Sequence, residues 1–96
     1  MILVLGKNSQ IAQYLAKNKS LNLNFIGSNI LDLTNLKKIK SVLLKYDPEL
    51  IINLMSFNDV DRAEYDYTCM LINYKAVSII CDFCLLRDIP IIHFSS

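Results

Sequence analysis

The sequence predicts one α/β domain with a parallel sheet and the element order β-α-β-α-β-α-β. Residues 2–5 are an uninterrupted apolar run and residues 50–55 a nearly continuous one, each the length of a strand, and such a run suits a strand buried on both sides. The segments between the strands carry apolar residues at helical spacing, as in Leu36, Ile39, Val42, Leu43 and Tyr46. The connections are short, and crossovers between parallel strands are right-handed, so helices should cover both faces of the sheet.

In chain order, residues 2–5 form the first strand and Gly6 breaks it. Residues 10–18 read as a helix with Ile11, Tyr14 and Leu15 along one side. Residues 21–26 alternate apolar and polar, a second strand closed by Gly27 and Ser28. Thr34 is a good N-cap for a helix over residues 35–46, which Asp47-Pro48-Glu49 ends. Residues 50–55 give the third strand, and residues 58–66 are polar and turn-like. A long helix over residues 67–87 leads through Asp88-Ile89-Pro90 into the last strand, residues 91–95. The expected spatial order is third, second, first, fourth. That puts the topological switch between the first and fourth strands, with Gly6 at one lip of the crevice and Ser95-Ser96 at the other.

Composition excludes several function classes. At 53% hydrophobic the chain is too apolar for disorder. Its net charge is +1, and Lys37, Lys38 and Lys40 fall on the solvent side of one helix, so nucleic acid is not an expected partner. No apolar run reaches membrane-spanning length, and residues 1–5 lack the basic start of a signal peptide, so neither membrane nor export is expected and the chain reads as cytoplasmic. Three cysteines, an odd number, suit reduced thiols. Cys81 and Cys84 fall late in a helix rather than at its start, and with Cys69 and His93 they match no compact zinc unit, so they read as core thiols and no metal is expected.

Gly6, Ser9 and Ala12 have the period of the glycine-rich loop that cradles a dinucleotide pyrophosphate, with only the first glycine kept. Ala12 is small enough for close helix–strand packing, whereas the Ser9 side chain stands where a pyrophosphate would approach. The same opening, Ile2-Leu3-Val4-Leu5-Gly6-Lys7-Asn8-Ser9-Gln10-Ile11-Ala12, resembles that of the dTDP-4-dehydrorhamnose reductases, extended short-chain dehydrogenases that act on nucleotide sugars. Leu31-Asp32-Leu33-Thr34 resembles the family's Asp-x-Ser/Thr, and Asp47-Pro48-Glu49-Leu50-Ile51-Ile52-Asn53 resembles its third strand. Asn58-Asp59-Val60-Asp61-Arg62-Ala63-Glu64 is the most specific match, Asn73 sits where the long helix carries its Asn, and Ile91-Ile92-His93-Phe94-Ser95-Ser96 resembles the strand that ends in a catalytic hydroxyl.

The resemblance implies a Rossmann-like, incomplete doubly wound domain over residues 1–96, the N-terminal portion of an NAD(P)-binding domain. It also implies NADPH or NADH held by Gly6, Asn8, Ser9, Gln10 and Ile11, by Asp32 and Leu33 near the adenine, by Asn53, Leu54 and Met55, and by Ser95. Ser96 is the implied catalytic residue, hydrogen-bonding the carbonyl oxygen of a nucleotide sugar. There are departures. Leu54 and Met55 are bulkier than the family's alanines, and none of Tyr14, Tyr46, Tyr65, Tyr67 and Tyr74 is followed four residues on by the lysine of the family's Tyr-x-x-x-Lys. The expectation is therefore part of a reductase, inactive alone. The alternative is a non-catalytic module of the same fold that pairs with a separate chain. The long helix, apolar nearly all round, and the edge of the last strand anticipate self-association or such a completing chain.

Overall fold

The computed structural model describes residues 1–55 and 67–94. Four parallel strands, β1 (Ile2–Leu5), β2 (Leu23–Ile26), β3 (Leu50–Asn53) and β4 (Ile91–His93), form one sheet. Helices α1 (Gln10–Ala16), α2 (Leu36–Tyr46) and α3 (Tyr67–Leu86) connect them, giving the expected Rossmann-like α/β fold.

The strand order is β2-β1-β3-β4, which corrects the expected third-second-first-fourth arrangement. The burial patterns explain it. In β3 Ile51, Ile52 and Asn53 are buried, as a central strand requires, whereas β2 exposes Asn24 and suits an edge. The chain steps outward from β1 to β2, then α2 carries it back across β1 to the opposite side. The topological switch therefore lies between β1 and β3, and the register pairs Leu5 with both Ile26 and Asn53 at its rim.

Reversing direction at β1 sends the helices to opposite faces. Under α2 and α3, Leu3, Leu5, Ile26, Leu31 and Ile51 pack with Ile39, Leu43, Ala76, Ile80, Phe83 and Cys84. Ile39 and Leu43 are wholly buried, and each such side chain contributes about 1.5–3 kcal/mol. The other face is thinner: Val4, Ile52 and Leu54 pack with Ala12 of the short α1. Cys84 is buried, and burial, with Cys81 adding to it, pushes its thiol up. Cys81 is exposed, correcting the expectation of two core thiols; it comes one residue after the buried Ile80 and two before the buried Phe83, and a helix turns by about 100° per residue, which carries it off the sheet-facing stripe.

Local bonds set the ends of the elements. α1 stops at Ala16 rather than residue 18 because Asn18 turns out of the helix, its Oδ1 accepting the Ser20 N–H at 3.1 Å and the Ser20 hydroxyl at 2.6 Å. β2 accordingly starts at Leu23 instead of residue 21. The N-cap of α2 is Asn35, with no side-chain bond, because the Thr34 hydroxyl expected to cap it donates to Asp32 Oδ1 at 2.6 Å. Past α3, Ile89 N–H donates to Cys84 C=O at 2.9 Å and Asp88 N–H to Leu85 C=O at 3.4 Å. This crossed pair is the Schellman arrangement, and it holds Asp88 at φ 58°. Asp88→Gly is expected to stabilise the chain by about 0.5–1 kcal/mol, since glycine enters this region freely. An unchanged or lower midpoint in urea unfolding would contradict this.

Among the described residues no helix is long and apolar enough to cross a membrane. Leu85 and Leu86 on α3 are 78% and 80% exposed, and Tyr74 is 72% exposed, so α3 does present a second apolar side.

Candidate functional site

Gly6 ends β1 with φ +103°, backbone that residues with a side chain rarely adopt. A Cβ here would stand 3.2 Å from the Leu54 carbonyl carbon, the Met55 amide nitrogen and Met55 Cγ. The turn thus passes hard against the chain leaving β3. It is fixed on both sides: Gly6 N–H donates to Ile26 C=O at 2.8 Å, and Leu54 N–H to Leu5 C=O at 2.9 Å. Bare backbone is thereby presented at the carboxyl ends of β1 and β3, at the switch point where open α/β sheets take their ligands.

Ser9 follows as the N-cap of α1. Its hydroxyl accepts the Ala12 N–H at 3.0 Å, and its carbonyl accepts the Gln13 N–H at 3.1 Å. The side chain expected to stand in the way of a phosphate is tied into the helix it starts. The N–H groups of Gln10 and Ile11 come too early in the helix for an intrahelical acceptor. Asn8, Gln10 and Ile11 are exposed, while Ala12 is 1% exposed against Val4, Ile52 and Leu54, the close helix–sheet contact its size was expected to allow.

Asp32 is exposed, and its Oδ1 accepts both the Thr34 hydroxyl and the Thr34 N–H, at 2.6 and 2.9 Å. These bonds, the hydroxyl's foremost, hold the carboxyl below its ordinary range. Leu33 is half-buried and packs on the α2–α3 core. At the rim of β3, Asn53 is wholly buried. Its Oδ1 accepts the Met55 N–H at 3.0 Å, so its amide nitrogen, 3.0 Å from His93 Nδ1, donates to the imidazole. His93 therefore accepts at Nδ1 and, as a neutral ring, carries its proton on Nε2. Leu54 is 5% exposed and fills the core beneath α1, so its bulk lies in the core and not in the crevice. Met55 is half-buried on the opposite core.

Gly6, Ser9, Leu54 and Met55 are thus brought together, Asn53 joins them through Met55, and Asp32 serves its own turn. Ser95 and Ser96 lie outside the described residues, as do Val60-Asp61-Arg62-Ala63-Glu64 and the Asn73 side chain. Sequence reasoning passed over Lys7. Its side chain runs across Gly27 at the end of β2: a Cβ on Gly27 would meet Lys7 Cγ at 3.2 Å, Lys7 Cε at 3.3 Å and Asn29 Oδ1 at 3.3 Å. The available signal was a lysine just after the turn glycine and a glycine just after the second strand, which parallel pairing of β1 with β2 sets side by side.

The family model described as the RmlD substrate binding domain matches residues 1–96. No curated protein matches the chain. Among solved structures, dTDP-4-dehydrorhamnose reductase from Bacillus anthracis str. Ames in complex with NADP superposes with a TM-score of 0.79 at 20% identity, over 94% of this chain and 34% of that one. The enzyme of the same name from Yersinia enterocolitica gives 0.80 at 22% identity, over 94% and 33%. A hypothetical dTDP-4-dehydrorhamnose reductase from Sulfolobus tokodaii gives 0.75 at 27% identity, over 99% and 39%. The chain spans little more than a third of the length of these neighbours.

Proposed function

The chain belongs to the RmlD substrate binding domain family, and we propose that it forms the dinucleotide-binding, amino-terminal portion of a nucleotide-sugar reductase using NADPH or NADH. The Gly6 turn carries this reading: a glycine at φ +103°, packed so that a Cβ would lie 3.2 Å from the backbone leaving β3, disfavours a side chain and offers backbone alone at the switch point. The residues fit a dinucleotide on that ground. Gly6 and the N–H groups of Gln10 and Ile11 would hold the pyrophosphate, with Asn8 at the mouth and Met55 beside the turn. Bound there, a reduced nicotinamide supplies hydride to a sugar keto group.

In this reading Ser96 hydrogen-bonds the substrate carbonyl oxygen and Ser95 lies against the cofactor. The proton donor is the tyrosine of a Tyr-x-x-x-Lys that residues 1–96 do not contain, and general acid help is worth about 10²- to 10⁴-fold. A supplied carboxyl-terminal chain, or a second copy, is the proposed partner. Ile92 on the edge strand and Phe94 just past its end are 46% and 42% exposed, which is surface that such a partner would cover. The free thiols of Cys81 and Cys84 suit a reducing, cytoplasmic setting.

Calorimetric titration of residues 1–96 with NADPH is expected to give a dissociation constant no tighter than about 0.1 mM, near −5.5 kcal/mol. NADPH oxidation with dTDP-4-dehydrorhamnose is expected only after a fragment bearing Tyr-x-x-x-Lys is added, and Ser96→Ala should abolish it. Turnover by residues 1–96 alone, or no dinucleotide binding up to about 10 mM, would overturn the reading.

A further inference from the structure

We infer that Lys7, laid across Gly27 at the carboxyl end of β2, takes the 2′-phosphate of the adenosine ribose and makes this site selective for NADPH over NADH. The inference rests on the dinucleotide reading and adds to it which nicotinamide cofactor is chosen and by which residue.

In a doubly wound sheet the adenosine ribose lies beyond the end of the second strand. A carboxylate there holds the free ribose hydroxyls of NAD, and a cation there accommodates the 2′-phosphate of NADP. Here the end of β2 has a cation and lacks the acid. Residues Ile26-Gly27-Ser28-Asn29-Ile30 contain no carboxylate. The first acid is Asp32, exposed and engaged through Oδ1 by both the Thr34 hydroxyl and the Thr34 N–H.

Lys7 is brought to this spot by backbone. Its N–H donates to Ile26 C=O at 3.3 Å, beside the 2.8 Å bond from Gly6 N–H to the same carbonyl. Its stem then crosses Gly27, which is buried; Lys7 Cγ and Cε lie 3.2 and 3.3 Å from where a Cβ would stand. The missing side chain of Gly27 is thus what lets the stem reach along the end of the strand, with the Asn29 side-chain oxygen next to it. Among the described residues the only ion pair joins the Met1 amino group to Glu49, so no described carboxylate neutralises Lys7. A lysine ammonium with its charge available is a phosphate ligand, and one that a ribose hydroxyl cannot engage as strongly.

The test measures dissociation constants of NADPH and NADH for the unchanged chain, Lys7→Met and Gly27→Ala, with circular dichroism confirming that each is folded. NADPH is expected to bind about tenfold tighter than NADH to the unchanged chain, the scale of one charge-assisted hydrogen bond. Lys7→Met should bring the two within about threefold while leaving NADH within about twofold. Gly27→Ala, which displaces the stem and keeps the charge, should also narrow the gap. Equal affinities in the unchanged chain, or an NADPH preference retained in Lys7→Met, would overturn the assignment while the dinucleotide reading stands. Binding of neither dinucleotide would overturn both.

Discussion

Gly6→Ala is expected to destabilise the chain by about 2–4 kcal/mol, lowering the thermal midpoint by roughly 10–25 °C. Two costs combine. Backbone at φ +103° is closed to a residue with a side chain. The added carbon would also press at 3.2 Å on the Leu54 carbonyl carbon and the Met55 nitrogen. These are backbone atoms, and they cannot swing aside as a flexible side chain can. Relief would require straining the Leu54 N–H to Leu5 C=O bond or the Gly6 N–H to Ile26 C=O bond, which hold the ends of the two central strands in place. Gly27→Ala is the internal control. Its Cβ meets the Lys7 stem and a side-chain oxygen of Asn29, groups that can move, so its cost should stay below about 1 kcal/mol. Thermal unfolding followed by circular dichroism separates the two; similar losses would show that the packing at Gly6 does not decide its identity.

Asn53→Leu is expected to cost about 2–3 kcal/mol despite conserving volume. Asn53 is the one buried polar side chain among the described residues, and both ends of its amide are used, at 3.0 Å to the Met55 N–H and 3.0 Å to His93 Nδ1. Leucine removes both bonds and leaves the Met55 N–H, directly behind the Gly6 turn, with nothing to donate to. An unmade bond at a buried group costs its full desolvation. His93→Ala should cost less than about 1 kcal/mol, because His93 is exposed and water can take its place at the Asn53 amide. Urea unfolding of the two variants tests this asymmetry. A larger loss for His93→Ala would place the anchor of the β3–β4 rim on the imidazole instead of the amide.

Much of this protein was legible from residues a few positions apart. Ile2 to Leu5 and Leu50 to Ile52 announce buried strands by their unbroken apolar runs, and the spacing of Ile39 and Leu43 marks the inward side of α2. Gly6 announces the turn that positions the candidate site. These signals are local, because helical and strand periods are written in the backbone of a single segment. What only the tertiary structure decided involves partners distant in sequence. The reversal at β1 could be drawn on either side from the element order alone, and it took the pairing of Leu5 with both Ile26 and Asn53 to put the switch between β1 and β3. Thr34 has the chemistry of a helix cap, yet Asp32 competes for its hydroxyl and wins. Leu54, bulky on paper beside a cofactor, is turned under α1 by strand alternation. Lys7 is an ordinary surface lysine until parallel pairing lays it over Gly27, 20 residues away. Side chains such as these acquire a role from the neighbour that packing assigns them, and no periodicity within one segment records which neighbour that is.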